Sequence, residues 1–344
     1  VSGADSVRSP TTPSGAPSAR PGILRIVVGM RSLSTFLIAV ILFVVFWVLS
    51  PGNYFASRDN LLIFLATEAE FGIVAVGVGV LMIAGEFDLS VGSVLAFCSL
   101  VFTRLFLAGL GAVPALLAGM VAGAAIGFLN GVITVKAQIP SFITTLGGLL
   151  LWRGVVLFWS GGLQQGVESE KIPLSSVIES TALGFVPIAF VWLVGITLVI
   201  LFFLHYHKAG NWVYATGDNK LAAKAMGINT SWIKIACFML VGVLVAFAGV
   251  MQIFRANVFS ARAGQDLELQ AVAAAVIGGT SLTGGVGSIA GVFWGAMAIS
   301  LIDNGLVMLR IDYWWTFTVF GGIIILSVIL SKLIETRRAG ARAD

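Results

Sequence analysis

The chain reads as long apolar stretches separated by short polar ones. Residues 37–49 (LIAVILFVVFWVL) are apolar without alternation, which suits a helix surrounded by hydrocarbon and not the lipid-out, lumen-in strands of a membrane barrel. A helix of about 20 residues crosses one bilayer core. By that measure the stretches 33–49, 61–83, 89–109, 112–135, 141–160, 187–206, 233–254, 267–283, 285–303 and 314–331 predict an all-α polytopic membrane protein of ten transmembrane helices. Arg104 within 89–109, and GGTSLTGGVG (278–287) between the eighth and ninth stretches, make eight spans the other count.

Composition agrees with this reading. Hydrophobic residues make up 58% of the 344 and charged residues 10%, against about 25% charged in a soluble domain, so a water-soluble globular protein is excluded. The 41 glycines fall largely inside the apolar stretches, where small residues let helix backbones approach closely. Residues 1–31, rich in Pro, Ser and Thr with Arg8, Arg20, Arg25 and Arg31, are expected to form a disordered basic tail, and 333–344 a second one, flanking a transmembrane domain at 32–332. Lys and Arg gather on the cytoplasmic side of membrane proteins. With an even number of spans and both termini cytoplasmic, 13 of the 20 basic residues lie inside, four of them (Lys208, Lys220, Lys224 and Lys234) in or beside the loop 207–232.

A repeat is also visible. Asn130-Gly131 through Lys136, with Gly147-Gly148, recurs 174 residues later as Asn304-Gly305 through Arg310, with Gly321-Gly322; Asp88-Leu89 recurs more loosely as Asp266-Leu267. The predicted topology places Lys136 inside and Arg310 outside, so the two copies would be inverted, as in many transporters.

Three segments carry candidate chemistry. In ATGDNKLAAKAMGIN (215–229), Asp218 or Asn219 can cap a helix of about two turns that Gly227 can end; such a short helix needs a docking surface, on its own bundle or on a partner. In AGEFDLSVGS (84–93), Asp88 suits a cap on the following span better than a substrate contact. Glu68 and Glu70, inside a predicted span, should face the bundle interior or a watery cavity; with Asp88, Asn130 and Asn304 they are the candidates for a translocation path. In AAAVIGGTSLTGGVGS (273–288), Gly278, Gly279, Gly284 and Gly285 imply broken backbone, serving as a gate or as close packing. No nucleotide-binding loop, metal motif or catalytic constellation stands out, and His205 and His207 point to different sides of a helix. An enzyme is not expected.

Four ordered motifs together resemble the permease subunits of ABC importers for ribose, xylose, galactose and related monosaccharides. EFDLSVGS (86–93) is similar to that family's GIDLSVGS, and NGVITVKAQIPSFITTLGGLLLWRG (130–154) to its NG…IPPFIATLG…RG block. GDNKLAAKAMGI (217–228) is similar to its GGNxxAAxxSGI segment, and LQAVAAAVIGGTSLTGGVGS (269–288) to its IAAVVIGGTSLxGGxGS. The resemblance, over roughly 35–332, implies a non-enzymatic inner-membrane subunit without a cofactor of its own, since ATP and Mg bind the partner. It implies pairing with a second permease copy, identical or related, docking of a cytoplasmic ATPase, and delivery of sugar by a periplasmic binding protein. Gly217, Asp218, Asn219, Ala222, Ala223 and Gly227 then map onto the ATPase-coupling segment. Glu86, Phe87 and Met226 depart from the family pattern. An ion-coupled secondary transporter using Glu68, Glu70 or Asp88 is the alternative, and a passive channel is less favoured because no ring of charges is present.

Overall fold

The structure is a computed structural model describing residues 31–312 apart from 169–171 and 183, together with 314–315, 318–322, 325–326 and 329. The two predicted tails, except Arg31, and much of the tenth stretch (314–331) lie outside the described residues.

The helices in chain order are α1 (Arg31–Leu49), α2 (Arg58–Ile83), α3 (Val91–Leu107), α4 (Ala112–Lys136), α5 (Ser141–Ser160), α6 (Pro173–Glu179), α7 (Ile188–Tyr206), α8 (Lys208–Asp218), α9 (Lys220–Ala225), α10 (Thr230–Ala256), α11 (Leu267–Ile277) and α12 (Ile289–Met308), with a 3-10 turn at Pro51–Ala56. Seven of them (α1, α2, α4, α5, α7, α10 and α12) are long and apolar enough to cross a membrane. The expectation of full spans at 89–109 and 267–283 is corrected. The 17 residues of α3 rise about 25 Å and the 11 of α11 about 16 Å, against a hydrocarbon core of about 30 Å. In α11 the stop is Gly278, where the glycine-rich turn begins. Two small antiparallel pairings also interrupt the all-helical expectation: β1 (Gln165–Gly166) with β4 (Val258–Phe259), and β2 (Thr181–Ala182) with β3 (Val186–Pro187).

Burial sorts the helices. Within the most apolar window, 78% of α10 and 67% of α2 and α12 is covered by protein, against 17% of α1 and 22% of α5; the first three form the core and the others present Leu, Val and Phe outward. The contacts have an exchange pattern: α10 packs on α4 as α2 packs on α12, α10 on α3 as α2 on α11, and α3 on α4 as α11 on α12, with α2 and α10 side by side in the centre. Small residues set the closest of these approaches. A Cβ added to Gly123 of α4 would lie 2.2 Å from the Gly242 carbonyl oxygen of α10, and one on Gly242 would lie 2.0 Å from that of Gly123, so this crossing admits no side chain at either position.

Candidate functional site

At one end of the bundle, three segments far apart in sequence meet through glycine. Asn219 breaks the chain between α8 and α9; its side-chain oxygen accepts from the Leu221 and Ala222 amides at 3.1 and 3.0 Å, capping α9. Gly227 follows α9 with φ +83, a left-handed conformation open to glycine at little cost. Gly217, at the end of α8, rests on the end of α2: a Cβ there would lie 1.9 Å from the Ile83 carbonyl oxygen and 2.5 Å from the Gly285 nitrogen. The Gly285 amide donates to that same Ile83 carbonyl at 2.9 Å. A Cβ on Gly285 would lie 2.5 Å from Asp218 Cα, and one on Gly284 2.6 Å from Gly85 Cα. The coupling segment and the glycine-rich turn are therefore parts of one junction, with backbone against backbone. Gly278 packs elsewhere, against Gly291 at the α11–α12 crossing, and Gly279 carries φ +82. Within α9, Ala223 is buried, while Ala222 faces outward between Leu221 and Met226, which are 80% and 83% exposed.

Beside this junction, Glu86 pairs with Lys234 at the start of α10, both side chains largely buried. Glu86 therefore does not point an unpaired charge at a substrate; it ties the α2–α3 connection to α10.

Asp88 belongs to a second network. Its Oδ1 accepts from the Ser90 amide at 2.8 Å and from the Ser90 hydroxyl at 2.6 Å, and Asn130 Nδ2 donates to the same hydroxyl oxygen at 2.9 Å. The Leu89 amide donates to Thr145 Oγ1, and the Phe87 amide to Ser141 Oγ, both at 3.0 Å. The expected cap on α3 takes a different form: Ser90 holds the N-cap position without a side-chain cap bond, and Asp88 closes a turn onto Ser90 just before it. This interlocks the first two motifs, with Gly148 giving room for Ser90 and Asn130. Asn304 lies in another place, exchanging amide hydrogen bonds of 3.0 and 3.1 Å with Asn60 between α2 and α12. The five path candidates thus do not converge on one cavity.

Toward the opposite end, Glu70 of α2 accepts from Arg255 of α10 through Nε at 2.6 Å and Nη2 at 3.0 Å, a two-point pairing. A cavity of about 120 Å³ opens against this pair, walled also by Glu179 at the end of α6. Glu68, two residues away and so on nearly the opposite face of α2, is fully buried; the Ser300 hydroxyl is a polar neighbour that does not complete a hydrogen bond of good geometry, and neither carboxylate oxygen is hydrogen-bonded. Among the described residues no group of His, Cys, Asp or Glu is arranged to hold a metal ion.

Glu179 is half-buried, and its carboxyl is pushed up to about 7, first by burial, then by the nearby Glu70 carboxylate, with Arg255 partly offsetting both. A raised folded-state value means that the folded form holds the proton more tightly, so this contribution to docking α6 is complete below the ordinary glutamate range and is lost as pH rises through about 7. Backbone amides of 174–182 should accordingly show higher hydrogen-exchange protection, corrected for intrinsic rates, at pH 5 than at pH 8. Glu179→Gln should remove the difference.

Lys234 and Arg255, the cations that pair with Glu86 and Glu70, were not singled out from sequence; they lie 148 and 185 residues from their partners. The signal that could have found them is a cation near the end of a predicted span in a chain with few charges. Arg153, in the Trp-Arg-Gly of the second motif, is likewise not among the residues that the sequence predicts for a site. Its Nη1 donates to the Ala261 and Ala263 carbonyls at 2.8 and 3.0 Å and so fixes the loop after α10.

A core of helices long and apolar enough to cross a membrane, with two ion pairs among them and a glycine junction at the end of α8, fits a membrane transport subunit. The family model described as branched-chain amino acid transport system / permease component matches residues 60–328. A xylose/arabinose import permease protein of Sulfolobus acidocaldarius is 34% identical over 304 residues, 86% of this chain and 83% of that protein. An autoinducer 2 import system permease protein of Escherichia coli is 32% identical over 315 residues, 90% and 88% of the two chains, and that of Yersinia pseudotuberculosis is 33% identical over 279 residues, 81% and 78%. No solved structure matches. The chain belongs to this permease family: it is a multi-pass permease component of an ABC importer, carries no cofactor of its own, and works with an ATPase that is a separate subunit and with a binding protein.

Proposed function

We propose that the chain imports a monosaccharide or related small polyol by alternating access, as half of a permease dimer in a bacterial inner membrane. The observation that carries this reading is the junction of Gly85, Gly217 and Gly285: the end of α8, immediately before α9, is seated where a push from a cytoplasmic ATPase passes by backbone contact to α2 and to the turn before α12. The coupling loop 207–232 then faces the cytoplasm and α6 the outside, and both termini are cytoplasmic. Two inverted halves, in which the short α3 and α11 each share a crossing with the adjoining turn to give ten crossings in all, are supported by the exchange pattern of contacts and by the matching order of a long helix, a short one and a long one: α2–α3–α4 and α10–α11–α12. The names of the relatives, which import xylose and arabinose or autoinducer 2, support a sugar or an autoinducer as the cargo. Uptake into proteoliposomes holding the permease, its ATPase and its binding protein tests the reading. Uptake should need ATP hydrolysis and survive a proton uncoupler; ATP-independent uptake that an uncoupler abolishes would favour ion coupling through Glu68 instead.

A further inference from the structure

Helix α9 is held at both ends, and both ends lead to the same two residues. Upstream, Asn219 joins it to the end of α8. There Gly217 faces Gly85, where a Cβ would lie 3.4 Å from Gly217 Cα. Downstream, the connection to α10 has little slack. The amides of Gly227 and Ile228 donate to the carbonyls of Lys224 and Ala223 at 2.9 and 3.1 Å. The Asn229 side chain then caps α10, accepting from the Trp232 amide at 3.1 Å. Lys234 follows, within the second turn of α10, and pairs with Glu86. Gly85 and Glu86 are adjacent in sequence, so the two ends of α9 rest side by side on the connection between α2 and α3.

The two points of rest differ in kind. At Gly217 backbone lies on backbone. At Lys234 the contact is ionic, with side chains only 10% and 12% exposed. An exposed ion pair is screened by water and holds little, whereas in a covered pair each charge needs the other, because losing one strands its partner away from water.

The same connection reaches further helices. The Phe87 and Leu89 amides donate to Ser141 and Thr145 of α5, and the Ser90 hydroxyl accepts from Asn130 of α4. Residues 85–90 therefore meet the coupling segment at one end and α4 and α5 at the other. A rigid body pushed while seated on two points carries its seat along; seated on one, it pivots there.

We infer that Glu86 and Lys234 are a positioning pair for energy coupling: they hold the start of α10 to the α2–α3 connection, so that movement of α9 displaces residues 85–90, and through them α4 and α5, as one piece. This rests on the importer reading and adds the route by which movement at α9 enters the bundle.

Hydrogen exchange on the permease–ATPase complex in nanodiscs, with and without MgATP trapped by vanadate, tests the pair. In the parent, trapping should change exchange within 217–230 and at the Phe87 and Leu89 amides, the latter by about fivefold or more, the scale of coupling between linked sites. Glu86→Leu combined with Lys234→Met should keep the response of 217–230 and lose that of Phe87 and Leu89. Its thermal stability should equal or exceed the parent's, since apolar side chains can replace a covered ion pair without loss; the missing response is then not unfolding. Glu86→Lys combined with Lys234→Glu restores the attraction and should regain the response. The pair has no such role if Phe87 and Leu89 of the parent stay unchanged while 217–230 responds, or if the apolar variant responds as the parent does. An exchanged pair that does no better than the apolar one would equally overturn it. No response anywhere in the parent would instead count against the importer reading, because the ATPase would then not act on this chain through α9.

Discussion

Gly217→Ala should sever transport from ATP hydrolysis: uptake falls about tenfold or more, as expected when a side chain is forced into a filled space, while the ATPase stays bound and keeps hydrolysing. The new methyl group meets the Ile83 carbonyl oxygen and the Gly285 nitrogen, both backbone atoms, so no rotamer change relieves the clash. The end of α8 must lift from α2 and from the glycine-rich turn together. Gly227→Ala is the matched control. It introduces strain at a positive φ but has no neighbour within 4 Å, so uptake should remain close to normal. Parallel measurement of uptake and hydrolysis at equal membrane abundance decides the matter, and normal uptake by Gly217→Ala would remove the junction from the mechanism.

Leu221→Asp combined with Met226→Asp should give the opposite pattern, with the permease inserted and stable but no ATPase co-purifying, and with uptake and hydrolysis both at background. Leu221 on α9 and Met226 just after it are 80% and 83% exposed; this segment lies outside the long apolar helices, where exposed apolar side chains grouped on one short element suit a protein partner. A charge placed in an apolar contact of this kind costs about 2 kcal/mol or more at a hot spot. Ala222 and Ala223, paired by their place in the motif, part company in the structure: Ala222 faces outward with Leu221 and Met226, and Ala223 is buried. A charge at Ala223 would disturb the seat of α9 itself and would not report on docking alone. Retention of the ATPase by the double variant would mean that α9 is not the docking element.

What could be read along the chain depended on the range of the interaction. The cap at Asn219 and the glycine after α9 were legible because capping joins residues two or three apart. Helix α8 is not among the expected elements, since KAGNWVYATGD holds two glycines, which disfavour helix, and is polar on average; its buried residues, Gly210, Val213 and Thr216, nonetheless recur at three-residue steps along one face. The stretch 267–283 is longer than the helix that occupies it because 278–283 carries no charge to mark an end, whereas the backbone turns at Gly278.

The sequence by itself determined that the chain lives in a membrane as a helical bundle, which stretches are apolar enough to span it, and, through four ordered motifs, to which class of permease it is similar. Those properties follow from transfer of side chains into hydrocarbon and from local backbone preference, both of which are written residue by residue. Only the tertiary structure decided that the motifs at 84–93 and 130–154 lock together through Ser90, that the coupling segment and the glycine-rich turn form one junction, and that Glu70 and Glu86 are paired with Arg255 and Lys234. These contacts join residues dozens to about two hundred positions apart. Their partners are chosen by which helices pack against one another, and that choice depends on the shape of whole surfaces.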